Sequence, residues 1–258
     1  MKRYKISFEY LGLGFLGSQI QKNGPTIQGE LEKAISTLTR IKTKVYMSGR
    51  TDANVSAKCQ TAHFDSCEIA DENKFLIKLN SILPEKIRVF EIEPVVASFH
   101  AQKQATYRHY QYKINNSLFK KSVFDECVIH TRLKLDENRM NQAINHLVGE
   151  FDFSSFKSVS DNPSKICTIY YANVRRDAEY ILIDIVGNRF LYNMVRAIVG
   201  TLLLIESKNL NPSFMKDVLN SKERKQAGAN VDAKGLTLIK TGYDDPILYV
   251  NNIRKANK

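Results

Sequence analysis

The 258-residue chain has only four cysteines and no Cys-x-x-Cys pair. Cys59, Cys67, Cys127 and Cys167 are too widely spaced for a zinc ribbon or a dithiol motif. A chain of this length needs no disulfide framework, so the thiols are expected to be reduced, as in cytoplasm. The five histidines (His63, His100, His109, His130 and His146) are scattered. Each is read as a surface or packing histidine, and no metal site is expected. Long apolar runs are also missing. The longest, Ala197–Ile205, is interrupted by Gly200 and Thr201 and is too short to span a bilayer. The opening MKRYKISFEY has no apolar core of the signal-peptide kind. No basic amphipathic helix with bulky apolar anchors stands out, which argues against a membrane partner. Gly12, Gly14 and Gly17 mark a loop, but no Gly-Lys-Ser/Thr follows. A nucleotide hydrolase built on that loop would lack its lysine and its metal-ligating acids.

What is present is hydrophobic mass and positive charge. Hydrophobic residues make up 43% of the chain, enough for real cores and against disorder. The net charge is +11, spread along the whole length, which suits a broad nucleic-acid surface.

Periodicity gives the organisation. Ile6, Phe8 and Tyr10 alternate with polar residues, as in a half-buried strand. Pro25-Thr26 opens a helix whose stripe is Ile27, Leu31, Ala34, Ile35 and Leu38. Lys44–Met47 and Gln60–Asp65 read as strands. Asp71 caps a helix, and Lys86–Val96 reads as a further strand. The order is β-α-β-β-α-β, the split-βαβ pattern. The second half is expected to repeat it: strand Ala105–Ile114; a helix capped by Asp136, with Met140, Ala143, Ile144 and Leu147 on one face, closed by Gly149; a hairpin of Ile166–Val174 and Tyr180–Val186 around Asp177-Ala178; a buried helix Phe190–Leu204; a short helix from Asn211-Pro212; and a closing strand Gly235–Gly242. The fold class is therefore α/β (α+β), with two similar split-βαβ, ferredoxin- or RRM-like lobes of antiparallel sheet. The lobes span 1–98 and 99–258, and helices cover one face of each sheet.

The segment with most chemistry is Ser48-Gly49-Arg50-Thr51-Asp52-Ala53-Asn54-Val55-Ser56-Ala57. It places a carboxylate two residues after an arginine, on a turn between two strands. Gly49 is suited to backbone angles that other residues avoid, and Asn54 tolerates the left-handed region. A cation beside Asp52 keeps it ionised, fit to act as nucleophile or base. Taken alone, Arg-Thr-Asp would be an Asx turn with a surface ion pair.

The whole string Ser48–Asp65 resembles the active-site loop of the TruA-type tRNA pseudouridine synthases, usually GRTDAGVHA followed by an apolar strand ending in HF. Ala105–Tyr112 resembles that family's Arg-x-Tyr-x-Tyr strand, and Gly187–Gly200 its Phe-Leu-x-x-Met-Val-Arg-x-Ile-Val-Gly segment. Gly24–Glu32, Leu147–Phe156 and Ala233–Leu238 match further segments, so the resemblance covers nearly the whole chain.

The resemblance implies an isomerase that converts uridine to pseudouridine in the anticodon arm of tRNA. It implies no cofactor, a basic cleft between the lobes, a cytoplasmic setting and a homodimer that grips tRNA. Asp52 matches the catalytic aspartate. Whether it attacks base or sugar, or first removes a sugar proton, is open. Arg50 matches the arginine that helps displace the target nucleotide, or else braces the loop. Tyr110 matches the base-stacking tyrosine, although alternating tyrosines also pack sheets. Arg196 sits on an otherwise apolar helix and needs a partner, expected to be Asp52.

Four positions depart from the pattern: Asn54 for glycine, Ser56 for histidine, Ser18 for tryptophan and Cys167 for arginine. They bear on substrate range and RNA affinity. The other readings are an RNA-binding protein of this fold with little catalysis, and a pseudouridine synthase with another RNA substrate.

Overall fold

The computed structural model describes residues 1–119, 125–158 and 164–256. In chain order the strands are β1 (Lys2–Tyr10), β2 (Val45–Met47), β3 (Ser56–Ser66), β4 (Ile87–Val95), β5 (Tyr107–Asn115), β6 (Ile129–His130), β7 (Gly149–Asp152), β8 (Ile166–Asp177), β9 (Tyr180–Gly187) and β10 (Leu236–Gly242). The helices are α1 (Ile27–Thr39), α2 (Glu72–Ile82), α3 (Glu137–Asn145), α4 (Met194–Ser207), α5 (Phe214–Ser221) and α6 (Pro246–Ala256). The chain is a mixed α/β protein of two compact units. The first comprises Met1–Ala105 with Thr237–Tyr243, the second Thr106–Leu236 with Asp244–Lys258.

In the first unit β1 pairs antiparallel with both β3 and β4, and β2 pairs antiparallel with β3. That is the split-βαβ order with α1 and α2 in the crossovers. The helix starts follow the capping chemistry. Thr26 Oγ1 accepts from Gly29 N–H at 3.2 Å, and Asp71 Oδ1 from Lys74 N–H at 2.8 Å. Tyr4, Ile6 and Phe8 are buried on one face of β1, with Ile27, Leu31 and Ile35 of α1 in the same core. The opposite face is polar. Arg3 is bidentate on Asp65 at 2.7 and 2.8 Å, Lys5 pairs with Glu93, and Ser7 Oγ donates to Glu91.

The closing strand departs from expectation. β10 belongs to the first unit, where Thr237 and Leu238 pair in parallel with Ser56 and Ala57. β3 itself begins four residues earlier than its apolar run suggests, so it can serve β10 at one end and β2 at the other.

In the second unit β5, β9, β8 and β7 lie side by side, all antiparallel. Asp136 caps α3, accepting from the N–H of Asn138 and Arg139. α3 stops at Asn145, and Gly149 (φ 131°) starts β7 rather than closing the helix. The β8–β9 hairpin turns on Ala178-Glu179, one residue later than expected, with Ala178 left-handed at φ 51°. α5 begins at Phe214, and Asn211 makes an Asx turn to Ser213 ahead of it. The second unit also closes both faces of its sheet. α6, which periodicity did not reveal, lays Tyr249, Val250 and Ile253 on Tyr107, Tyr171 and Val186. Under it lies a buried polar knot: His109 bridges Asp184 (2.9 Å) and Tyr249 (2.9 Å), and Gln111 also donates to Asp184.

α4 holds the tightest contact of this unit. Its Gly200 meets Gly228 backbone to backbone, and a Cβ at either position would overlap the other segment's carbonyl. Thr201 Oγ1 accepts from Gly228 N–H at 2.9 Å and fixes the crossing. Alanine is favoured over glycine in a helix by about 1 kcal/mol, so a net loss on substitution is diagnostic. Gly200→Ala should lower stability by about 1–3 kcal/mol through overpacking, read as a lower urea midpoint with unchanged slope. A variant as stable as the native chain would refute the close approach.

Candidate active site

The loop between β2 and β3 alternates buried anchors with outward residues. Ser48, Thr51 and Val55 are buried, Gly49 and Asp52 are half-buried, and Arg50, Ala53 and Asn54 are exposed. Ser48 hydrogen-bonds Gln60 and, at 3.0 Å, Thr241; its N–H donates to Thr61 O. Thr51 is held at all three of its polar groups. Its N–H donates to Ser18 Oγ at 2.8 Å, its carbonyl accepts from Ser18 N–H at 3.1 Å, and its hydroxyl lies 2.8 Å from Tyr10 OH. Burial pushes the Tyr10 phenol up to about 12, so it stays neutral and free to share that hydrogen bond. The turn after Asp52 closes by Val55 N–H to Asp52 O at 3.2 Å. Asn54 occupies its left-handed position at φ 66°. That angle explains why asparagine can replace glycine there.

Gly12 and Gly17 belong to the same construction. A Cβ on Gly12 would overlap the Val55 carbonyl, and one on Gly17 (φ 99°) would come 2.8 Å from Thr51 O. Gly12 N–H donates to Ser56 Oγ at 3.0 Å. The glycine loop is thus the bed on which residues 51–56 lie. Ser18 and Ser56, departures from the family pattern, are buried hydrogen-bonding anchors of that bed. Gly49 does not play the part its sequence suggests. Its φ is not in the left-handed region, and nothing lies within 4 Å of where its Cβ would stand.

Beside this loop, on the polar face, three rings gather. Tyr46 of β2 stacks on His63 of β3 at 5.0 Å and 17°, and His100 lies 4.9 Å from His63. His63 Nδ1 accepts from Ala101 N–H at 3.2 Å. Burial, then the Arg3 guanidinium and His100, depress His63 to about 4, so its ring is neutral at pH 7. A cavity of about 170 Å³ opens between Tyr46, His100, Gly49 and Arg50.

Tyr110 and Arg196 belong to the second unit. Tyr110, half-buried on β5, meets Phe190 edge to face, with centroids 5.1 Å apart. Phe190 lies in the loop before α4 and not within it, because the helix starts only after the left-handed Asn193 (φ 60°). Neighbouring Arg108 donates to Asn188 O at 2.7 Å and ties β5 to that loop. Arg196 occupies the first turn of α4, where the helix dipole disfavours a cation. Acceptors offset this: Nε donates to Val231 O and Nη1 to Asn193 Oδ1, both at 2.8 Å. Val231 follows the Gly228 crossing, so that crossing delivers an acceptor to Arg196. Tyr112, two residues beyond Tyr110 on the same strand face, donates to Asp232 O at 2.7 Å. The strap of residues 228–232 therefore links the Tyr110 strand to the Arg196 helix.

Removing the Ser18 hydroxyl should strand the buried Thr51 amide. Ser18→Ala is expected to cost about 1–3 kcal/mol. The Thr51 amide should exchange with deuterium at least about tenfold faster, while β1 amides change only by the global amount. Exchange at Thr51 equal to native would show that the clamp is not held there. His63 gives a pH signature. Its folded-state value lies below the ordinary 6.5, so between about pH 6.5 and 4 the unfolded chain binds the extra proton and stability falls on acidification. The loss is on the order of 3 kcal/mol across that window. Urea midpoints from pH 7 to 4.5 should show this slope for the native chain and a flatter one for His63→Gln.

A family model described as tRNA pseudouridine synthase matches residues 143–244. The tRNA pseudouridine synthase A of Brevibacillus brevis is 38% identical over 94% of this chain and all of its own length. That of Colwellia psychrerythraea is 35% identical over 94% of each chain. Among solved structures, a Cbf5-Nop10-Gar1 complex aligns at a TM-score of 0.44 and 11% identity, covering 92% of this chain and 49% of that one. No helix among the described residues is long and apolar enough to cross a membrane. With identity at this level over 94% of its length, the chain belongs to the tRNA pseudouridine synthase A family of isomerases.

Proposed function

We propose that this synthase isomerises uridines in the anticodon arm of tRNA with Asp52 as its nucleophile. The reaction breaks the N1–C1′ bond of the nucleotide, turns the uracil, and forms a C5–C1′ bond. The C5 hydrogen leaves as a proton and N1 gains one, so no redox partner is needed. The protein must evert the nucleotide, supply a carboxylate and keep the loose base. The observation that carries the reading is the loop itself: Thr51 is fastened at every polar group, while of its two neighbours Arg50 is exposed and Asp52 half-buried.

In this reading Arg50, exposed and two residues from Asp52, takes the place of the everted base or holds its phosphate. Tyr110 stacks on the freed uracil, an interaction worth about 1–3 kcal/mol, with Phe190 setting its ring plane. In the same reading its hydroxyl assists loss of the C5 proton. Arg196, already carrying two neutral acceptors, is the cation proposed to pair with Asp52 and keep it ionised. The +11 charge supplies phosphate contacts, so binding should weaken steeply with salt. The family resemblance further supports a homodimer, and four cysteines with no disulfide among the described residues suit a reducing, cytoplasmic setting.

The decisive experiment uses tRNA transcripts tritiated at uridine C5. The native chain should release tritium, and Asp52→Asn should release none while binding tRNA and melting as the native does. Mapping the modified positions tests the anticodon-arm assignment, and sedimentation equilibrium of the same preparation tests the dimer. Release by Asp52→Asn at the native rate would overturn the nucleophile. Tight tRNA binding by the native chain without release would favour an RNA-binding protein with little catalysis.

A further inference from the structure

The geometry points to a second base-binding pocket in the first unit: the cavity between Tyr46, His100, Gly49 and Arg50 receives the base of an unpaired RNA nucleotide adjacent to the target uridine. The inference rests on the proposed reading that Arg50 and Asp52 face the everted nucleotide.

Three independent observations support it. The first is the ring stack. Tyr46 is 47% exposed, yet its ring is fixed against buried His63 rather than swinging in solvent. The β2–β3 register sets Tyr46 opposite His63, so the ring stands on the polar face of the sheet by strand geometry. A held, half-exposed aromatic ring is a stacking platform for any base.

The second is Gly49. Its backbone angle is open to any residue, and a Cβ would meet no atom of the chain. Gly12 and Gly17 are required by the protein's own packing, whereas Gly49 is not. A glycine that the fold does not need, on the wall of a cavity, fits close approach of a ligand to the backbone.

The third is size and lining. The cavity holds about 170 Å³, below the range of sites that enclose drug-sized molecules, and suits one planar heterocycle rather than a whole nucleotide. Arg50 on its rim can meet the phosphate of that nucleotide, and exposed Gln19 on its wall offers polar groups to base edges. His100 is fixed by the N–H groups of Gln102 and Lys103, both donating to its Nδ1. That bond sets its tautomer and gives the pocket a second ring held in place.

The test uses the full chain and anticodon-arm RNA hairpins carrying 2-aminopurine at each loop position in turn. Native protein should quench the fluorescence strongly at one position next to the isomerised uridine, as stacking does. Tyr46→Ala should lose that quenching and raise KM for the hairpin by about five- to a hundredfold, with single-turnover isomerisation at saturating RNA near native. Tyr46→Phe should restore both. Tyr46→Leu, which keeps bulk on β2 without a π face, should behave as alanine does. Gly49→Ala should melt with the native protein, since its Cβ enters open space, and yet bind the hairpin more weakly. Native quenching and KM in Tyr46→Ala, or unaltered RNA affinity in Gly49→Ala, would overturn the pocket. Failure of the native chain to isomerise any hairpin or tRNA would instead overturn the function on which the pocket rests.

Discussion

The structure of the first unit turns on the clamping of Thr51. An active carboxylate must be immobile and reachable at once, and burial of the acid itself would serve only the first need. Here the adjacent residue is buried in its place. Its amide, carbonyl and hydroxyl are all satisfied by Ser18 and Tyr10, which lie outside the loop. Each such group would cost about 1–3 kcal/mol if left buried without a partner, so the loop is well determined at that point. With Thr51 fastened inward, its neighbour Arg50 is left exposed and Asp52 half-buried. The glycine loop after β1 exists to let this happen, since side chains at Gly12 or Gly17 would occupy the space of the loop's own backbone.

The second unit meets a similar demand by other means. Arg196 is a cation at the end of a helix that would repel it. A strap of backbone, brought down on α4 where two glycines meet, hands it a carbonyl at Val231 and gives Tyr112 a carbonyl at Asp232. The arginine and the tyrosine strand are thereby referred to one short segment. Apolar packing cannot set a guanidinium's direction, but two hydrogen bonds from fixed acceptors can.

Local chemistry was legible in the sequence, and distant partnership was not. Thr26, Asp71 and Asp136 cap the helices where spacing places them, because a cap is settled within four residues. Strand alternation located β1, β5 and the β8–β9 hairpin for the same reason. Asp52 and Arg50 were readable as a turn bearing charge. What went unread depends on chain far away. Ser18 reaches Thr51 across 33 residues and Ser56 reaches Gly12 across 44, so both registered only as departures from a pattern. β10 looked like the last strand of the second half, because nothing in its residues tells that its partner is Ser56-Ala57. Helix α6 escaped because its buried stripe, Tyr249, Val250 and Ile253, is short and is completed only by the sheet it covers.

The glycines show most plainly how sequence and structure differ in what they reveal. Gly12, Gly17 and Gly49 are the same letter in one neighbourhood. Gly12 is excluded from any larger residue by a carbonyl, and Gly17 by both a carbonyl and its left-handed angle. Gly49 is excluded by neither. Only coordinates can separate these cases, because the difference lies in what occupies the missing side chain's place. For the first two that occupant is the protein's own loop. For the third the chain leaves the place empty, on the wall of a cavity that Arg50 and the exposed Tyr46 also line. A fold that fills the space around two glycines with its own backbone, and leaves a third open where its cation and its aromatic ring converge, has separated the part it completes itself from the part a ligand completes.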